Sequence, residues 1–163
     1  ERFDAALLMG PLYHLVFEAD RRLALRQVAG LLAPGGVLVS AHICRLGILS
    51  GLMSEFSDWI LSPDCASVLA VGYDTDALDK VGTGFRGYFC RPEELRPLHE
   101  AEGFETLAVA AAEPCIADED APYNALVGEE RRAWLDLLYR VSAEPSLIGA
   151  SRHLLYVGKT RQD

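Results

Sequence analysis

The reactive side chains of this sequence gather first at Met9-Gly10-Pro11-Leu12-Tyr13-His14-Leu15, directly after the apolar run RFDAALL. A run that halts at Gly-Pro and continues with an aromatic and a histidine is either a plain turn or the rim of an active site. His14 has the side chain whose ordinary pKa lies nearest neutrality, so it can accept or give up a proton. Tyr13 offers a ring face and a hydroxyl, or packs under the helix that follows. His42, near the end of a second apolar run, is either a substrate contact or a satisfied core histidine. GFRGYFCR (84–91) presents Arg86, Tyr88 and Arg91, the last just ahead of Pro92 where a surface charge near a helix start is ordinary. The four histidines show no HxxxH spacing and the four cysteines no CxxC pair, so no metal site is expected. The thiols read as buried or free in a reducing cytoplasm, which is where the protein is expected to reside.

These residues need elements to hold them. FDAALLM (3–9) is short and apolar and predicts a buried strand. DRRLALRQVAGLL (20–32) carries Leu25, Val28, Leu31 and Leu32 at helical spacing, with Asp20 placed to cap it. Pro34-Gly35-Gly36 should stop that helix, and VLVSAHI (37–43) predicts a second strand. Strand, helix and strand in this order predict a parallel βαβ unit. LGILSGLMSEFSDWIL (46–61) predicts a helical stripe through Leu49, Leu52, Met53, Phe56, Trp59 and Ile60, serving as core or lid. Residues 72–90 predict a long loop of the kind that covers a ligand. RPEELRPLHEAEGF (91–104) predicts a helix with Pro92 in its first turn, Gly103 past its end, and a kink or late start at Pro97. A strand over 104–112, a helix over 128–144 burying Trp134, Leu137, Leu138 and Val141, and a last strand over 151–160 complete an α/β layer fold of four strands and about four helices.

Length and charge narrow the function. The 163 residues, half hydrophobic, suit one domain with a core. With 15 basic against 24 acidic residues the net charge is −9, which opposes phosphate backbones and anionic membranes as partners. No apolar run approaches the roughly 18–20 residues of a membrane span, and no signal peptide is expected ahead of the fold.

Taken in order, FDAALLMGPLYHL, ALRQVAGLLAPGGVLVSAHICR, YFCRPEEL, EAEGFE and EPSLIGASRHLLYVGK resemble the C-terminal portion of class I S-adenosylmethionine-dependent methyltransferases of the small bacterial type. The likeness covers nearly the whole chain, and each motif alone is weakly specific. It implies an incomplete Rossmann-like methyltransferase fold, helices on both faces and a last strand running antiparallel, with residues of about 45–90 inserted as lid and acceptor pocket. The family's glycine-rich loop and the acidic residues that hold the ribose and adenine have no counterpart here. GTG at 82–84 lacks a strand before it and a helix after it. The chain therefore looks like roughly the last four strands of a seven-stranded sheet.

The resemblance implies methyl transfer to a small molecule by the full-length parent, without a metal and with S-adenosylmethionine as cofactor, the chain alone being inactive. Met9 and Gly10, followed by Pro11 and Leu12, would line the cofactor, and Tyr13 and His14 would face donor and acceptor. His42, Arg86 and Tyr88 would contact the acceptor. The chain alone is expected to bind the cofactor poorly. In the family the strand corresponding to 3–9 sits at the sheet centre, so here its open apolar edge predicts self-association, as a homodimer or swapped assembly. The competing expectation is a non-enzymatic α/β module that binds a partner, or a second copy, through that edge.

Overall fold

The computed structural model describes residues 2–74, 86–116 and 120–161. The sheet has the order β1-β2-β5-β4, with a short β3 also paired to β2. Its elements are β1 Phe3–Leu8, α1 Pro11–His14, α2 Glu18–Leu31, β2 Leu32–Cys44, α3 Leu49–Glu55, a 3-10 turn Ser57–Leu61, α4 Pro63–Val71, β3 Phe89–Cys90, α5 Pro92–Glu100, β4 Phe104–Ala111, α6 Asp120–Ala125, α7 Gly128–Val141, α8 Pro145–Ile148 and β5 His153–Thr160.

The βαβ unit forms as its pattern dictates. β1 and β2 are parallel, in register from Ala5↔Val37 to Leu8↔Ser40. β5 runs antiparallel to both β2 and β4, so the carboxyl ends of β1, β2 and β4 share one edge of the sheet. β1 leaves β2 after Ser40, and β3 joins β2 in parallel at Ile43↔Phe89 and Cys44↔Cys90. β5 occupies the opposite edge of β2 at that level, since His42 faces Leu154 and Ile43 faces His153. The segment around Tyr88 is thereby brought beside the turn that follows β1.

Alternation along β2 puts Leu38, Ser40, His42 and Cys44 on one buried face. Against it lie two apolar groups. Leu12, Leu25, Leu32, Leu38, Leu98 and Phe104 form one, and Cys44, Cys90, Leu95, Leu154 and Tyr156 the other. α5 supplies Leu95, Leu98 and His99 to this layer.

Several expectations need correcting. β1 is not a buried strand: Phe3, Leu7 and Met9 are each half or more exposed. α2 begins at Glu18 with Phe17 as its cap and no side-chain cap bond, so Asp20 lies inside the first turn, where its charge favours the helix dipole. α2 ends at Leu31, ahead of Pro34-Gly35-Gly36, and β2 starts at Leu32 rather than 37. That triplet is therefore part of the strand, absorbed by a register irregularity opposite Phe3–Ala5 and by the positive φ of Gly35. The stripe over 46–61 breaks at Phe56 into two short helices, and Met53, Phe56 and Ile60 are exposed rather than core. α5 starts at Pro92 and includes Pro97 in its interior, so there is no late start there; proline's missing N–H leaves the Glu93 carbonyl without its helical donor. Of the four α7 residues expected inside, Leu138 alone is buried, while Trp134 and Leu137 are exposed.

α4 was legible but unread. Ser62 accepts from Cys65 N at 3.3 Å, Pro63 opens the helix, and Gly72 closes it at φ 90°. Most of the expected covering loop, residues 75–85, lies outside the described residues.

Candidate functional site

Ligands of open α/β sheets sit beyond the carboxyl ends of the strands. Here that edge begins with the turn after β1. Gly10 adopts φ 152° and ψ −47°, a backbone state other residues rarely take. A Cβ built there would lie in ordinary contact with the Tyr13 ring, 3.4 Å from its hydroxyl and 3.9 Å from Cζ, so the Tyr13 side chain folds back over the glycine. Pro11 then starts α1, where its missing N–H is harmless. Leu12 is fully buried in the core. It anchors the turn by roughly 2 kcal/mol of apolar burial, and its side chain is thereby withdrawn from the cofactor contact expected of it. Met9 is half exposed beside Gly10.

Tyr13 and His14 come next, their rings 4.8 Å apart. The Tyr13 carbonyl accepts from Tyr88 N at 2.7 Å. His14 Nδ1 lies 3.2 Å from the Arg86 carbonyl, which can only accept. Nδ1 therefore carries the proton and Nε2 is the basic nitrogen. His14 and Arg86 line one cavity of about 350 Å³ with Leu15, Val16, Phe17 and Asp20.

His42 and Tyr88 do not join that cavity. They line another, of about 320 Å³, between α2 and α5. The expected acceptor contacts are therefore divided, Arg86 with His14 and the other pair elsewhere. Tyr88 is held by charge. Its hydroxyl donates to Glu94 Oε2 at 2.6 Å, Arg45 Nη2 reaches Glu94 Oε1 at 3.1 Å, and the Arg21 guanidinium lies 3.6 Å over its ring. Burial and the Glu94 carboxylate push the Tyr88 phenol well up, so it stays a donor. Burial likewise pushes the Cys90 thiol up and keeps it unreactive.

A proton order can be read along β2. His99 Nδ1 is 2.7 Å from the Leu95 carbonyl, so it donates there and Nε2 is left as an acceptor. Ser40 Oγ, 3.0 Å away, donates to that nitrogen, and His42 Nε2 in turn donates to Ser40 Oγ at 3.0 Å. Both rings are neutral, burial lowering His42 to about 3 and His99 to about 4. His99 also stacks on Tyr156 with 3.7 Å between ring centres.

A further polar group stands at the same sheet edge, where β4 ends and β5 begins. His153 Nδ1 bonds Glu113 Oε1 at 2.7 Å, and Ser151 Oγ donates to Glu113 Oε2 at 2.9 Å. Arg21, Arg45, Glu94, Ser40, His99, Glu113 and Ser151 were all missed as polar anchors by sequence reasoning. For Arg21 a signal existed, because it falls four residues before Leu25 on the apolar stripe of α2. The partners of Glu113 are some forty residues distant, and no local pattern announces them. Among the described residues no group of three side chains could hold a metal ion, and no helix is long and apolar enough to cross a membrane.

With this geometry the chain can be compared with known proteins. It aligns over 99% of its length with a methyltransferase from Methanosarcina mazei, at 14% identity and a TM-score of 0.56, covering 60% of that chain. A methyltransferase from Mesorhizobium loti gives 16% identity and 0.53 over 97% of this chain and 62% of that one. The CcbJ methyltransferase of Streptomyces caelestis gives 15% and 0.52 over 99% and 58%. The first two of these are described as dependent on S-adenosylmethionine. The fold is that of a class I S-adenosylmethionine-dependent methyltransferase. At such identities the likeness is one of fold, and the chain spans about three-fifths of the length of these methyltransferases. No protein-family model and no curated protein matches its sequence.

Proposed function

We propose that this chain serves S-adenosylmethionine-dependent methyl transfer to a small-molecule acceptor. The observation that carries the reading is the Gly10–His14 turn, which closes β1 at the ligand-binding edge of a methyltransferase-like sheet. The absence of a side chain at Gly10 and its positive φ fit a turn whose Met9–Gly10 backbone runs alongside the methionine portion of the cofactor. The cofactor supplies a methyl group on a positively charged sulfonium.

The chain's own residues then have limited work. Leu12 and the Tyr88 N–H to Tyr13 carbonyl bond hold the turn in place. Tyr13 presents a ring face to positive charge. His14, oriented by the Arg86 carbonyl, accepts a proton from an acceptor hydroxyl or amine at Nε2. Positioning and exclusion of water supply most of the acceleration in such a displacement. The net charge of −9 favours a small acceptor over a nucleic acid.

Calorimetric titration with S-adenosylmethionine tests the reading. Binding heat that a Gly10→Val change abolishes supports it; no heat at millimolar cofactor removes it for this chain. The second reading, a non-enzymatic module that associates through β1, is favoured by one observation, the exposure of Phe3, Leu7 and Met9.

A further inference from the structure

Arg21 is a buried cation, 4% exposed, that forms no ion pair among the described residues, its guanidinium lying 3.6 Å over the Tyr88 ring. Its Nη1 donates to the carbonyls of Leu15 at 2.8 Å and Val16 at 2.6 Å. Its Nε is buried with no hydrogen-bond partner. Among the described residues Nη2 makes no bond either, and because Nε is enclosed, Nη2 is the nitrogen a ligand can reach. A guanidinium N–H makes a charge-assisted bond to a carboxylate oxygen. A buried charge left unpaired is strongly unfavourable unless something compensates it.

The surroundings show what could compensate it. Arg21 lines the cavity of about 320 Å³ between α2 and α5 together with His42, Tyr88, Leu95, Pro97 and Leu98. The two carboxylates that also line it are already committed, Glu18 to Arg22 at 2.7 Å and Glu94 to Arg45 at 3.1 Å. Arg21 is thus the charge of the lining that no ion pair engages among the described residues. His42 is 3% exposed and spends Nε2 on Ser40, and Nδ1 has no protein partner among the described residues. In the tautomer that the Ser40 bond requires, Nδ1 is an acceptor and wants a donor. Leu95, Pro97 and Leu98 add an apolar wall.

We propose that the cavity between α2 and α5 binds a small carboxylate that also carries a hydroxyl or amine donor, the carboxylate on Arg21 Nη2 and the donor on His42 Nδ1. The site shares no lining residue with the cavity that His14 and Arg86 line, and it stands independently of the methyl-transfer reading.

The test is NMR of the histidine-labelled protein titrated with L-lactate, mandelate and L-leucine, with acetate as the probe lacking a donor. At least one of the three should move the His42 ring resonances with a Kd below about 1 mM, and acetate should bind about tenfold or more weakly than that ligand. Arg21→Met keeps the apolar stem but removes the charged donor and should weaken binding about tenfold. Should that variant not fold, Leu98→Trp fills the cavity from its apolar wall and should abolish binding while the His99 resonances stay native. Unmoved His42 resonances at about 10 mM of every probe overturn the proposal, as does undiminished binding to either folded variant.

Discussion

The Tyr88 hydroxyl and the Glu94 carboxylate meet at 2.6 Å, which ties the start of β3 to the first turn of α5. Arg45 Nη2 reaches both groups, at 3.3 Å and 3.1 Å, so one buried guanidinium at the end of β2 closes the arrangement. Because the Tyr88 amide also bonds the Tyr13 carbonyl, the support extends to the turn of the candidate site.

Tyr88→Phe should therefore destabilise the protein. A hydrogen bond to a charged group contributes about 2 kcal/mol, and its loss lowers the melting temperature of a chain this size by about 4–8 °C. Thermal melting followed by circular dichroism checks it, and an unchanged midpoint would show that the Tyr88–Glu94 bond bears no weight.

Acid should unfold the protein earlier than its carboxylates alone would. His42 and His99 have folded pKa values of about 3 and about 4, below the ordinary 6.5. A lowered folded value means that, below pH 6.5, the unfolded chain binds protons that the native state refuses. Stability is fully present above that pH and lost as pH falls towards 4 and 3. Each histidine contributes a slope of up to about 1.4 kcal/mol per pH unit, so about 3 kcal/mol disappears between about pH 6.5 and pH 5. Urea unfolding at the two pH values measures this, and a flat profile would contradict the neutral Ser40-linked pair.

The Glu113–His153 pair should behave in the opposite sense at its upper end. The bond to Glu113 raises the His153 pKa against burial, so its contribution is complete below 6.5 and fades as pH rises through the raised value. Burial alone would push the Glu113 carboxyl up, but the bonds from His153 and Ser151 outweigh it and hold the group below its ordinary 4.5. Its contribution is present above 4.5 and lost as pH falls through the lowered value. The pair thus helps most between these limits. Glu113→Gln should destabilise more at pH 5.5 than at pH 8.5 in urea unfolding, by a modest margin because both side chains are partly solvated. An equal loss at both values would assign Glu113 a purely neutral role.

β1 should mediate association. It pairs only with β2 among the described residues, and Leu7 is 69% exposed on it. Light scattering at high micromolar concentration should show dimers or larger species, and Leu7→Lys should shift them towards monomer. A clean wild-type monomer at that concentration would rule the contact out.

Much of the fold was written locally. The βαβ unit, the existence of a last strand and the turn at Gly10 follow from apolar periodicity, from Pro and Gly punctuation and from φ preferences, all of which act over a few residues. The antiparallel direction of that strand was implied only by the family resemblance. Boundaries strayed where a longer-range pairing prevailed, as when β2 drew Pro34-Gly35-Gly36 into the sheet.

The site divides along the same line. Gly10, Pro11 and His14 could be placed from sequence because a strand end and a turn position them. Whether a charged or polar side chain faces the core depends on what packs against it from far along the chain. Hence the burial of Arg21 under Tyr88, the Ser40 link between His42 and His99, and the Glu113–His153 pair came only with tertiary packing. Burial removes the competing water, and it turns residues that look like surface charge into the groups that fix protonation and hold the cavities.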